Sequence, residues 1–64
     1  MNLIGKILTS EEFKVYDLIR NEPLPIDVIA SRYSEGIGFL MEQILYLELK
    51  GTIKQLPGQF YVRT

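Results

Sequence analysis

Leu47-Glu48-Leu49-Lys50-Gly51-Thr52-Ile53-Lys54-Gln55-Leu56-Pro57-Gly58-Gln59-Phe60-Tyr61-Val62-Arg63 is the stretch that decides the fold. Leu47 to Lys50 reads as the last turn of a helix. Lysine suits the negative end of the helix dipole, and Gly51 accepts the left-handed backbone that stops a helix. Thr52 to Leu56 and Gln59 to Val62 have the alternation and the β-branched or aromatic content of strands. Pro57-Gly58 between them fits the centre of a type II turn, because proline presets φ and glycine accepts a positive φ. The stretch therefore predicts a helix stop followed by a hairpin. By alternation Phe60 and Val62 share one face and Tyr61 and Arg63 the other. Phe60 is the expected core residue of the hairpin, with Tyr61 open to either side.

Upstream, Thr9-Ser10-Glu11-Glu12 reads as a helix start. Thr9 caps the helix while Glu12, three residues on, reaches back to the Thr9 amide, and Leu8 sits where a hydrophobic staple belongs. This first helix is expected to run to about Asn21. Val15, Leu18 and Ile19 form its buried stripe with Tyr16 beside them, and Lys14, Asp17 and Arg20 fall on the wet side. Phe13 lies off the stripe. Asn21-Glu22-Pro23-Leu24-Pro25 breaks the helix and favours an extended passage, in which Leu24 to Ile26 can pair with the hairpin.

Asp27 is the candidate cap of a second, short helix through about Tyr33. Ser34-Glu35-Gly36 turns the chain into a third helix from Ile37 to Lys50. Ile37, Leu40, Met41, Ile44, Leu45 and Leu47 supply its broad apolar face, and Phe39, Glu42, Gln43 and Tyr46 the opposite one. Gly38 in its first turn costs roughly 1 kcal/mol relative to alanine, which suits either a loose turn or a close neighbour. The expected fold is mainly α with a small β-hairpin: a winged helix-turn-helix of three helices plus a two- to three-stranded wing. Residues 1–8 form an N-terminal arm or linker and residues 9–64 the domain.

The chain has 64 residues, enough for one small domain. Cysteine and histidine are both absent, which removes disulfides, zinc fingers, Cys/His nucleophiles and histidine general bases. No metal or other cofactor is expected. Glu11, Glu12 and Asp27 are explained as helix-start residues, and nothing supplies a nucleophile, a base and an oxyanion site together, so no enzyme activity is expected. Apolar residues make up 47% and are spread along the chain, which argues against disorder. Met1 to Leu8 is too short for a signal peptide, no apolar run is long enough to span a bilayer, and the absence of cysteine fits a cytoplasmic protein. Seven Lys and Arg stand against eight Asp and Glu. That balance is unlike the basic excess of a general DNA binder, although a local patch remains compatible with it.

The opening stretch also carries a family resemblance. Leu47-Glu48-Leu49-Lys50-Gly51, then Leu56-Pro57-Gly58 with the pair Phe60-Tyr61 and Val62-Arg63, looks like the C-terminal winged-helix domain of the DNA-processing protein A (DprA, or Smf) family. Leu8-Thr9, Glu11-Glu12, Glu22-Pro23-Leu24 and Ile26-Asp27 are similar to that domain in the same order, so the resemblance spans about residues 8 to 63. It implies an accessory module of a protein of bacterial natural transformation, DNA uptake and recombination. Members of the family bind incoming single-stranded DNA and help load the RecA recombinase. Their main DNA-binding surface lies on a Rossmann-like domain that has no counterpart in these residues, so single-strand-binding and recombinase-loading residues do not carry over. Gly36-Ile37-Gly38-Phe39 replaces the family's more polar start of the third helix. Lys54-Gln55 replaces a pair of basic residues, and Pro57-Gly58-Gln59 replaces Pro-Gly-Gly.

If the domain touches duplex DNA, the third helix enters the major groove and the wing touches phosphate. Gln43, Tyr46 and Lys50 are then the helix candidates, Gln43 for adenine and Tyr46 for phosphate, and Lys54, Gln59 and Arg63 the wing candidates. The plainer alternative is that these are ordinary solvated side chains, since Glu42 and Glu48 beside them repel phosphate. Phe39, Tyr46, Phe60 and Tyr61 raise base stacking, against core packing for the wing pair and a protein contact for Phe39. Two functions follow. One is weak nucleic-acid contact. The other is a protein-interaction, regulatory or self-association module built on Phe39, Tyr46 and the apolar arm Leu3-Ile4-Ile7, whose partners include other domains of a parent protein. Neither reading involves a membrane.

Overall fold

A computed structural model describes residues 7–64 of the chain. Leu3 and Ile4 of the expected arm lie outside the described residues. The elements run α1 (Ser10–Leu18), β1 (Leu24–Pro25), α2 (Ile26–Ser31), α3 (Ile37–Leu49), β2 (Ile53–Leu56) and β3 (Phe60–Arg63). The three strands form one antiparallel sheet in the order β1-β3-β2. Three helices plus this small sheet match the expected winged helix.

The local signals at both ends of the helical part act as read. Thr9 accepts the Glu12 amide at 3.1 Å and the Glu12 carboxylate accepts the Thr9 amide at 3.0 Å, which completes the capping box. At the end of α3, Gly51 has φ +73. Its amide donates to the Glu48 carbonyl at 2.9 Å, and the Thr52 amide donates to the Leu47 carbonyl at 3.1 Å. That pair of bonds is a Schellman stop, which satisfies carbonyls that the helix leaves open. The Thr52 hydroxyl adds a 2.9 Å bond to the same Leu47 carbonyl.

Val15, Ile19, Ile29, Tyr33, Leu40, Ile44, Leu47, Ile53 and Tyr61 form the core cluster, so every helix and both wing strands contribute to it. Four expectations need correction. The first helix stops at Leu18, not Asn21. Ile19 is already extended, because the carbonyls of Tyr16, Ile19 and Arg20 are claimed by Arg63 from the far end of the chain. Asp27 does not cap α2: the N-cap is Pro25, and α2 ends at Ser31 rather than Tyr33. Strand β1 runs directly into the helix, and the Ile26 amide donates to the Gln59 carbonyl at 3.0 Å, which sets the start of α2 from the wing.

The third correction is the wing: Tyr61 is buried and Phe60 is exposed. Strand β3 is the central strand, so the face carrying Tyr61, paired with Leu24 on one side and Gln55 on the other, is the one laid on the helices. The fourth concerns α3. Its buried residues are Leu40, Gln43, Ile44 and Leu47, an i, i+3, i+4, i+7 set. Ile37, Met41 and Leu45, expected in the core, face outward. Gln43, expected on the wet face, is buried with 5% of its surface exposed.

Candidate functional site

In helix-turn-helix folds the second helix of the pair is the one that reaches DNA, and α3 holds that place here. Ile37 (57% exposed), Met41 (41%), Leu45 (53%) and Leu49 (75%) recur every four residues along it, and that spacing makes one continuous ridge on a helix. Phe39 and Tyr46, both expected as contact residues, are also exposed on this helix. α3 carries no lysine or arginine between Ile37 and Leu49; its charges are Glu42 and Glu48. By helical geometry these two carboxylates flank the ridge on opposite sides. Gly38 lies beside the ridge, and a Cβ there would meet nothing beyond its own turn of helix within 4 Å. Of the two expectations for this glycine, a close neighbour is not found among the described residues.

The basic candidates are not gathered into a stripe. Lys50 turns back to the start of α1: its Nζ lies 2.5 Å from the Glu12 carboxylate and 2.9 Å from the Ile7 carbonyl. Burial pushes the Glu12 carboxyl up, but the Lys50 hydrogen bond and the Thr9 amide outweigh that and hold it below the usual carboxylate range. Arg63 lies with its guanidinium 4.1 Å from the centre of the Tyr16 ring. It donates to the Ile19 carbonyl at 2.6 Å and to the Tyr16 carbonyl at 3.2 Å. Both cations, candidates for nucleic-acid contact on the helix and the wing, are thus engaged in holding the fold. Gln43 is withdrawn from the surface. Lys54 and Gln59 remain exposed on the wing, with Gln59 in the left-handed region at φ +63.

A second polar cluster ties α1 to the turn after α2. Lys14 bonds Glu11 at 3.0 Å and Glu35 at 3.2 Å, and the Tyr33 hydroxyl donates to Glu11 at 3.1 Å. The Lys14 hydrogen bond lowers the Glu11 carboxyl, and both carboxylates raise Lys14. Burial and the Glu11 bond push the Tyr33 hydroxyl up to about 12. These shifts belong to a surface staple with every member paired. Among the described residues no group of three His, Cys, Asp or Glu side chains is placed to hold a metal ion, and no helix is long and apolar enough to cross a membrane.

The residues missed from the sequence are Ile37, Met41, Leu45 and Leu49 as a surface. The signal was the excess of apolar residues in α3, more than one buried stripe of a helix requires. The family model described as the DprA winged helix domain matches residues 5–59. No curated protein and no solved structure gives a significant match. The chain belongs to the DprA winged-helix family.

Proposed function

We propose that this DprA winged-helix domain is a protein-contact module of a DNA-processing protein, and that the outward face of α3 meets protein rather than DNA. The observation that carries the reading is the exposed apolar ridge Ile37–Met41–Leu45–Leu49 on a helix without a single cation. A recognition helix gains affinity by neutralising phosphates with lysine or arginine, and here that helix presents hydrocarbon and two carboxylates. An exposed apolar surface of this kind is typical of protein contact sites. In this reading the module acts in the cytoplasm, in natural transformation and recombination, and performs no catalytic step of its own. Lys54 and Gln59, exposed on the wing, support a second and weaker contribution: a brush against nucleic acid that other parts of the parent protein hold.

The test follows backbone amide signals of the isotope-labelled chain as short single- and double-stranded DNA is added at low salt. The α3 signals are expected to stay still, with any salt-sensitive shifts confined to the wing and lost in Lys54→Glu. Salt-sensitive shifts along Ile37–Leu49 would hand the helix back to DNA and end this reading.

A further inference from the structure

We propose that the α3 ridge takes an amphipathic helix of another protein whose own apolar row is flanked by lysine or arginine; this rests on the reading of α3 as a protein-contact face. Residues repeating every four positions form the ridge type that packs against a like ridge on a second helix, with the axes crossing at about 50°. The ridge on α3 is 13 residues long, or roughly 20 Å, which accommodates one such crossing. Gly38 leaves room for a neighbour's backbone beside the ridge.

Charge selects the occupant. Glu42 and Glu48 flank the ridge on opposite sides, and α3 has no cation to answer them. Lys50, next in sequence, is already bound to Glu12. A second copy docking through its own α3 is therefore a poor occupant. With a twofold axis along the helices the Glu42 flank meets the Glu48 flank of the other copy. With the axis across them each flank meets its own counterpart. Either way acid faces acid in a surface being stripped of water, which disfavours the pair. Nucleic acid is repelled by the same two groups. A helix with basic flanks satisfies both carboxylates while its apolar row covers Ile37, Met41, Leu45 and Leu49.

The probe is a labelled synthetic helical peptide of about 18 residues, with leucine every fourth position and lysine or arginine on both flanks. Its twin carries glutamate at the flanking positions. Binding to the whole chain is read by fluorescence anisotropy at moderate salt, with sedimentation of the chain alone and a duplex DNA arm alongside. The basic peptide is expected to bind about tenfold or more tightly than the acidic twin, which is what reversing two exposed charge pairs gives. Leu45→Glu, at an exposed position that leaves the circular dichroism unchanged, is expected to weaken the basic peptide at least tenfold. Glu42→Lys/Glu48→Lys is expected to turn the preference towards the acidic twin.

Equal affinity for the twins, or a preference that survives the double lysine variant, overturns the basic-helix assignment. Self-association that Leu45→Glu abolishes, without peptide binding, also overturns it and makes the occupant a second copy, leaving α3 a protein-contact face. Duplex DNA binding that Leu45→Glu weakens overturns both this inference and the reading it rests on.

Discussion

The Nζ of Lys50, at the C-cap of α3, lies 2.5 Å from the Oε1 of Glu12, the same oxygen that closes the capping box on the Thr9 amide. One carboxylate thereby completes the start of α1 and holds the end of α3 against it. Glu12 is buried and Lys50 is half-buried, so the pair is screened less by solvent and salt than a surface ion pair. Breaking one side leaves the other charge inside with fewer partners, which is the costly way to disturb such a pair. Lys50→Met is expected to lower stability by about 2 kcal/mol, and Glu12→Gln/Lys50→Met to recover part of that loss. Urea unfolding of the two variants checks it; a loss below about 0.5 kcal/mol for Lys50→Met would show the pair to be no stronger than an exposed one.

The same carboxylate sets an acid limit. The Glu12 carboxyl is held below its ordinary value of 4.5 in the folded state, so the folded chain binds its proton less readily than the unfolded chain. Its contribution is fully present above the unfolded value and is lost as pH falls through the lower folded value. Stability is therefore expected to decline as pH drops below about 4.5, and the decline to be shallower in Glu12→Gln. Melting temperatures across the acid range read this directly, and an identical slope in the variant would remove Glu12 as its source.

Tyr33 supplies the alkaline counterpart. Its hydroxyl is pushed up to about 12 by burial and by the bond to Glu11. The neutral form is favoured by folding, so this contribution holds below the ordinary value near 10 and fades as pH rises towards 12. In a phenolate absorbance titration, Tyr33→Phe is expected to delete a late-titrating tyrosine. Deletion of an early one instead would contradict the Tyr33–Glu11 bond.

Gln59 occupies a left-handed backbone at φ +63, beside Gly58 at φ +88. A side chain in that region costs about 1 kcal/mol or more, while glycine adopts it without strain. Gln59 uses only its carbonyl in the fold, accepting from the Ile26 amide. Gln59→Gly is therefore expected to stabilise the domain by about 0.5–1 kcal/mol. Gly58→Ala is expected to destabilise it, since the added carbon sits 3.3 Å from the Phe60 ring as well as at positive φ. Paired thermal melts decide both, and a Gln59→Gly variant that melts lower than the parent would mean that the glutamine side chain holds the turn.

Arg63 closes the sheet onto the end of α1 through two carbonyl bonds and the Tyr16 ring. Lysine cannot reproduce that planar fork. Arg63→Lys is expected to cost about 1–2 kcal/mol of stability and, at matched folded fraction, to leave any wing–DNA contact as it was. A loss of DNA affinity with unchanged stability would reverse that assignment.

Much of the fold was legible in short windows because the responsible interactions are local. Thr9 and Glu12, Gly51, and Pro57-Gly58 act within a few residues of themselves, and their caps stand where read; the turn keeps Pro57-Gly58 but also takes in Gln59, expected to open the second strand, so that β3 starts at Phe60. The boundaries that moved did so under distant control: Arg63 ends α1 from 44 residues away, and the Gln59 carbonyl meets the first amide of α2. Of the candidate contact residues the exposure was legible for some and not for others, Gln43 being buried by the packing of α3. An exposed aromatic pair at Phe39 and Tyr46 was foreseen, whereas Lys50 and Arg63 turned out to hold the fold together.

By itself the sequence determined the order of elements, the cap of α1, the glycine stop of α3, the place of the wing turn and the family, since each rests on backbone preferences or on a string of residues read in one place. Only the tertiary structure decided which side of α3 is buried. That helix is apolar around most of its circumference, so hydrophobicity alone leaves its rotation about its own axis open. Packing against α1 and the sheet chose Leu40, Gln43, Ile44 and Leu47, and that choice turned Ile37, Met41, Leu45 and Leu49 outward as the surface this domain presents.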